Sequence, residues 1–169
     1  MEDTSKETDY PNLISRGWSQ VNDDLIAFIK PFIKPLYLDI GCNGGFLLSE
    51  VAGGIGVEKT GWLVDKCLEQ KLTAIKWDAH DLPFKDKVFR TSVLSTILHQ
   101  SANWEKMLLE GIRVAETTIG IENYPGRSVW GTPDNNGWVK SIVDPEYLGV
   151  KYKAEILDID GIHYFFKIN

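Results

Sequence analysis

The chain has 169 residues, 43% of them hydrophobic and 25% charged, with a formal net charge of −6. That length is enough for about one domain with its own core, and the acidic balance argues against broad binding to a phosphate backbone, so nucleic acid is not an expected partner. No apolar run approaches the roughly 18 residues needed to cross a bilayer, and two cysteines, Cys42 and Cys67, without a CxxC pair point to a reduced, cytoplasmic protein.

Residues 1–35 read as an N-terminal tail and a covering helix. The first dozen are polar and acidic, which fits a frayed end rather than a secretory signal. Asp23 and Asp24 then precede Leu25, Ile26, Ile29, Phe32 and Ile33 at helical spacing, and Pro31 and Pro35 end or kink the helix. Residues 36–169 read as a single domain. Strands are predicted at Leu36–Ile40, Thr60–Val64, Leu72–Trp77, Phe89–Ser95, Thr117–Ile121, Ala154–Ile159 and Ile162–Ile168. Helices are predicted at Phe46–Ala52, Lys66–Lys71 and Asn103–Val114, the last with Trp104, Met107, Leu108, Gly111 and Ile112 on one face. Alternating strands and helices give an α/β fold with a mainly parallel sheet. Asp160-Gly161 between the last two strands is a hairpin signal, predicting a C-terminal antiparallel hairpin. The stretch Asn123–Leu148 has little periodicity and several Pro, Gly and Trp residues, as a lid or binding loop would.

Three strand ends carry groups that suit a nucleoside-type cofactor. The first strand holds Asp39 and stops at Gly41, Gly44 and Gly45. The spacing Asp39, Gly41, Asn43, Gly45 fits D-x-G-x-G-x-G with only the middle glycine changed, and fails G-x-G-x-x-G at two places. Asparagine tolerates a positive φ, so the turn survives the change. Asp65 follows Trp62-Leu63-Val64 and is placed to accept ribose hydroxyls, or to cap the next helix. Asp78 and Ala79 close the third strand. Asp78 can accept the exocyclic amine of adenine while the Ala79 amide donates to a ring nitrogen, or Asp78 is a turn aspartate before His80, Asp81 and Pro83.

In this combination the chain resembles the class I S-adenosylmethionine-dependent methyltransferases of the small-molecule type. Leu-Asp-Ile-Gly-Cys-Asn-Gly-Gly-Phe (38–46) is similar to their first motif and Gly-Trp-Leu-Val-Asp (61–65) to their second. Trp-Asp-Ala-His-Asp-Leu-Pro-Phe (77–84) resembles the adenine-side motif, Val-Leu-Ser-Thr-Ile-Leu-His (93–99) the fourth strand with its loop, and Glu-Gly-Ile-Arg-Val (110–114) the end of the following helix. The resemblance covers Leu36 to Val114. It implies a Rossmann-like three-layer sandwich with a seven-stranded sheet in the order 3-2-1-4-5-7-6. It also implies S-adenosyl-L-methionine as cofactor, with S-adenosyl-L-homocysteine as product. Carried onto matching positions, Gly41, Asn43 and Gly45 approach the amino-acid part of the cofactor and Asp39 supports the turn or the ammonium. Asp65 binds ribose, Asp78 and Ala79 hold adenine, and Ser95 lies near the methionine moiety. The usual Leu-Lys-Pro-Gly-Gly turn after Val114 is missing, and so is the Asn/Asp-Pro-Pro-Tyr/Phe segment of the base and glutamine amino methyltransferases.

The expected activity is methyl transfer to a small-molecule acceptor. His99, just past the fourth strand, is the best-placed base, or else a polar loop residue. No histidine, cysteine and acid spacing suits a metal. Glu122, Asn123, Tyr124 and the loop to Trp138 are expected to build the acceptor pocket, with Trp130 and Trp138 either covering the acceptor or pinning the loop. Tyr10 and Trp18 are candidates to fold over the cofactor. A homodimer contact or a protein partner would complete an acceptor site that has no inserted domain. Two other classes remain open: an inactive cofactor-binding regulatory or scaffolding subunit, and a nicotinamide-dependent reductase, which the glycine spacing disfavours.

Overall fold

The structure is a computed structural model and describes residues 19–127 and 139–169. In chain order the elements are α1 (Ser19–Ile29), a short 3-10 turn (Lys30–Phe32), β1 (Tyr37–Ile40), α2 (Phe46–Glu50), β2 (Gly54–Glu58), α3 (Gly61–Glu69), β3 (Ala74–Lys76) and β4 (Phe89–Ser95). A second 3-10 turn (Leu98–Gln100) leads to α4 (Trp104–Val114), β5 (Ala115–Asn123), α5 (Pro145–Tyr152), β6 (Glu155–Asp158) and β7 (His163–Ile168). The seven strands form one sheet in the order β3-β2-β1-β4-β5-β7-β6. β1 to β5 pair in parallel, while β7 runs antiparallel to both β5 and β6. The expected class and strand order are therefore what the protein adopts.

Period-two alternation sends neighbouring side chains to opposite faces of the sheet. On one face Leu38, Ile40, Leu94, Tyr164 and Phe166 pack with Met107 and Leu108 of α4 and Leu148 of α5. On the other, Tyr37, Val93, Ile119, Ile121 and Phe165 pack with Leu25 and Ile29 of α1, Leu47 and Leu48 of α2, and Val64 and Cys67 of α3. Covering both faces is what a parallel sheet requires.

Two expectations are corrected. The second strand is Gly54–Glu58, and Thr60–Val64 is not a strand: residues 61–69 form α3. The apolar Leu63, Val64 and Cys67 make a helical stripe, while Asp65 and Glu69 face water. The strand itself carries two glycines, which leave it without a strong β signal in sequence. A Cβ on Gly54 would lie 2.2 Å from the Tyr37 ring and one on Gly56 2.5 Å from Cys42 Sγ, so packing excludes the β-formers by which strands are recognised. The hairpin is present, but of its Asp-Gly pair only Gly161 has positive φ, at 77°. Asp160 instead accepts the Ile162 and His163 amides at 2.9 and 2.7 Å, making a longer, side-chain-built turn.

Helix α5 was also not predicted within the irregular stretch. Asp144 caps it by accepting the Glu146 amide at 2.8 Å, with Pro145 in the first turn, so Asp-Pro-Glu was the available signal. Among the described residues no helix is long and apolar enough to cross a membrane.

Candidate active site

Beyond the carboxyl ends of β1 and β4 the connections leave in opposite directions along the sheet, the switch point outside which open α/β sheets place their ligands. At the tip of β1, Gly41, Asn43 and Gly45 adopt φ of 75°, 52° and 85°. The changed middle position thus keeps the turn, as its residue type predicts. Asn43 Oδ1 accepts the Gly44 N–H at 2.6 Å. The Gly41 and Cys42 amides donate to the Val57 carbonyl at 2.8 and 3.1 Å, and Gln70 Nε2 donates to the Gly44 carbonyl at 3.0 Å. The turn is therefore tied to β2 and α3 on two sides.

Asp39 lies under this turn and is only 4% exposed. No hydrogen-bond donor among the described residues reaches its carboxyl group. Burial first, and then the charge of Glu58, raises it from 3.8 to about 7. The same burial pushes the Cys42 thiol up, so Cys42 is not a reactive thiolate. Glu58 ends β2. Its Oε2 accepts the Asn43 amide at 3.1 Å and its Oε1 the Thr60 amide at 2.9 Å. Two carboxyl groups beneath one glycine turn form a negative seat, which suits a cationic ligand.

At the tip of β3, Asp78 Oδ1 accepts the His80 backbone amide at 2.9 Å and meets His80 Nδ1 at 2.6 Å. These bonds hold the Asp78 carboxyl below its ordinary range. The following loop is fixed by Trp77 Nε1, which donates to the Asp81 carbonyl at 2.6 Å, and by Arg113, which donates to the Leu82 and Phe84 carbonyls at 3.0 and 2.7 Å.

β4 ends at Ser95, level with Ile121 of β5. Beyond it, Glu122 of β5 is fully buried. Its Oε1 accepts the Leu98 amide at 2.7 Å and its Oε2 lies 2.7 Å from His99 Nδ1. The His99 carbonyl in turn accepts the Lys140 and Ser141 amides at 2.8 and 3.1 Å. This stitches the chain that returns after residue 138 onto the β4 tip. Nearby, the Arg127 guanidinium lies 4.1 Å over the Tyr124 ring. Among the described residues no group of three or more side chains is arranged to hold a metal.

The family model of the methionine biosynthesis protein MetW matches residues 23–132. The chain belongs to the MetW family. No curated protein matches it in sequence. In fold it is similar to a SAM-dependent methyltransferase from Thermotoga maritima, with a TM-score of 0.76, 16% identity and 94% of each chain covered. It is also similar to a protein solved in complex with the Haloferax volcanii Trm112 methyltransferase activator, with a TM-score of 0.69, 15% identity and 93% and 77% of the chains covered. The SAM-bound magnesium protoporphyrin IX methyltransferase from Synechocystis aligns with a TM-score of 0.60, 15% identity and 91% and 80% coverage. The fold is that of the class I SAM-dependent methyltransferases.

Within this MetW-family chain most of the predicted residues lie at or just beyond the carboxyl ends of β1, β3 and β4. Asp39, Gly41, Asn43 and Gly45 surround the β1 tip, Asp78 and Ala79 leave β3, Ser95 ends β4, and His99 follows it. Asp65 is the exception. It sits on the exposed face of α3 and ends no strand, because the strand assigned to it is a helix. The acid that ends the second strand is Glu58. The alternation of Ile55 and Val57 running into an acid was the signal for it. Sequence alone places Glu122 in a pocket wall, and its pairing with His99 follows from β4 and β5 being neighbours. Tyr10, Trp18, Trp130 and Trp138 lie outside the described residues.

Proposed function

We propose that this chain binds S-adenosyl-L-methionine and transfers its methyl group to a small-molecule acceptor. The observation that carries this reading is the order of groups on three adjacent parallel strands. A left-handed glycine turn over Asp39, then Glu58, then Asp78 and Ala79 stand at the tips of β1, β2 and β3. The negative, buried seat fits a ligand carrying an ammonium and a sulfonium. When bound, the cofactor supplies a methyl group already activated for displacement. Glu58 would take the ribose hydroxyls, in place of Asp65. Asp78 and Ala79 would hold adenine, Asp39 would balance the ammonium, and Ser95 would border the methionine moiety.

The chain's own part is mainly alignment, and orientation can supply roughly 7–11 kcal/mol. An acceptor hydroxyl or amine must also lose a proton. His99, which follows the β4 tip and has its Nδ1 2.7 Å from Glu122, is the candidate base, and Glu122 the group that orients it. The acceptor side is built from the 122–127 segment and the chain returning through 139–141 rather than from an inserted domain, which favours a small acceptor. One observation favours the second reading, a binding subunit that acts with a partner chain or a second copy: the His99 side chain is only 5% exposed.

Thermal shift tests the cofactor. S-adenosylhomocysteine at 100 times its dissociation constant adds about 2.7 kcal/mol, or roughly 5–10 °C for a domain of this size, whereas NAD adds nothing. Glu58→Gln abolishes the shift and Asp65→Ala retains it; the reverse pattern refutes the ribose assignment. Transfer of labelled methyl to a panel of amines and alcohols separates the enzyme from the binding subunit.

A further inference from the structure

The adenine-side acid is part of a longer hydrogen-bonded unit. Asp78 Oδ1 receives the His80 amide at 2.9 Å and lies 2.6 Å from His80 Nδ1. His80 Nε2 lies 2.7 Å from Ser101 Oγ, and Ser101 Oγ accepts the Asn103 amide at 3.1 Å. An ionised Asp78 carboxylate can only accept, so the His80 Nδ1 that lies against it carries a proton and donates it. With the ring proton there, Nε2 accepts from the Ser101 hydroxyl, whose oxygen at the same time accepts the Asn103 amide. Every donor in the chain has an acceptor, and the direction is fixed from the residues leading into α4 to the tip of β3. Asp78 Oδ1 is saturated by two bonds from one residue, while Oδ2 has no donor among the described residues. The Asp78 side chain is half-exposed, so without these bonds it would sample several rotamers.

We propose that His80 is a positioning residue that locks Asp78 so that its free oxygen reads the exocyclic amine of the ligand's purine, with Ser101 fixing the His80 ring. The proposal rests on the cofactor reading above and deepens it: it assigns selectivity for a 6-amino over a 6-oxo purine to the Asp78–His80–Ser101 unit. An ionised carboxylate can only accept. A 6-amino group donates to it, whereas a 6-oxo group presents a second acceptor and is repelled. The low carboxyl of Asp78 supports this, since it keeps the acceptor-only form at neutral pH.

The test compares S-adenosylhomocysteine with its 6-oxo counterpart, S-inosylhomocysteine, by calorimetry on the full chain. The wild type prefers the adenosyl ligand by about tenfold or more. In His80→Ala the adenosyl affinity falls roughly 3- to 10-fold, as expected for restored rotamer freedom, and the inosyl affinity changes less than about twofold, so the preference shrinks. His80→Asn restores it, because the asparagine Nδ2 stands where His80 Nδ1 stood and donates to Asp78. Asp78→Asn, which can donate as well as accept, removes or inverts the preference. An equal loss for both ligands in His80→Ala, or an unchanged preference, overturns the proposal and leaves the cofactor reading standing. A wild type that binds both ligands alike also overturns it. A wild type that binds neither overturns the cofactor reading, and the proposal with it.

Discussion

The sharpest physical test lies in Asp39. Its carboxyl is buried under the glycine turn and raised from 3.8 to about 7, first by burial and then by Glu58. A raised acid binds its proton more tightly in the folded state than in the unfolded chain. Its stabilising contribution is therefore complete below about pH 4 and is lost as pH rises through 7. Three units at about 1.4 kcal/mol each give a total on the order of 4 kcal/mol, of which about 3 kcal/mol falls between pH 5 and pH 8.5. Urea denaturation of the cofactor-free protein at these two pH values measures it. Asp39→Asn cannot titrate, so the wild type should lose about 3 kcal/mol more than the variant over this interval. The corresponding difference in melting temperature is roughly 6–12 °C. Glu58→Gln should reduce the wild-type loss, because it removes the second cause of the shift. If Asp39→Asn and wild type lose the same stability between the two pH values, Asp39 is not a desolvated acid and the negative seat is misassigned.

Three further substitutions probe the frame around the strand tips. Gly45→Ala meets both a φ of 85° and a Leu72 Cδ1 2.6 Å from the new Cβ, and should cost about 2–4 kcal/mol in chemical denaturation. Glu122→Ala strands the Leu98 amide and His99 Nδ1 in a buried setting and should cost about 2–3 kcal/mol, with Glu122→Gln recovering part of it by keeping one acceptor. Arg113 donates to both Glu110 oxygens and to the Leu82 and Phe84 carbonyls, a fork that lysine cannot reproduce. Arg113→Lys should lower stability by about 1–2 kcal/mol, read as a fall of roughly 3–6 °C in melting temperature.

The residues that announced the fold are those whose role is local. A glycine turn after a short apolar strand, an amphipathic helix over 104–114 and a β-rich tail each follow from backbone rules that need no distant partner. Asn43 is the clearest case: its tolerance of left-handed backbone was readable from its type, and it adopts that conformation at φ 52°. Helix α5 has a signal too, in Asp144 and Pro145, but one set inside a stretch of proline and glycine that masks its periodicity.

What the sequence determined by itself, then, was the class of fold, the strand order that its resemblance implied, and the acids at the first and third strand tips. The tertiary structure decided which acid stands at the second. Gly54 and Gly56 lie in a strand paired with β1, where Tyr37 and Cys42 fill the space a side chain would take, contacts that only the folded sheet makes. The partners of the histidines were decided the same way. Glu122 meets His99 because β5 lies beside β4, and Ser101 meets His80 because the residues ahead of α4 come back over the β3 tip. Hydrogen bonds across 21 and 23 residues of chain are set by where the sheet brings its edges together, and no spacing rule along the sequence encodes them.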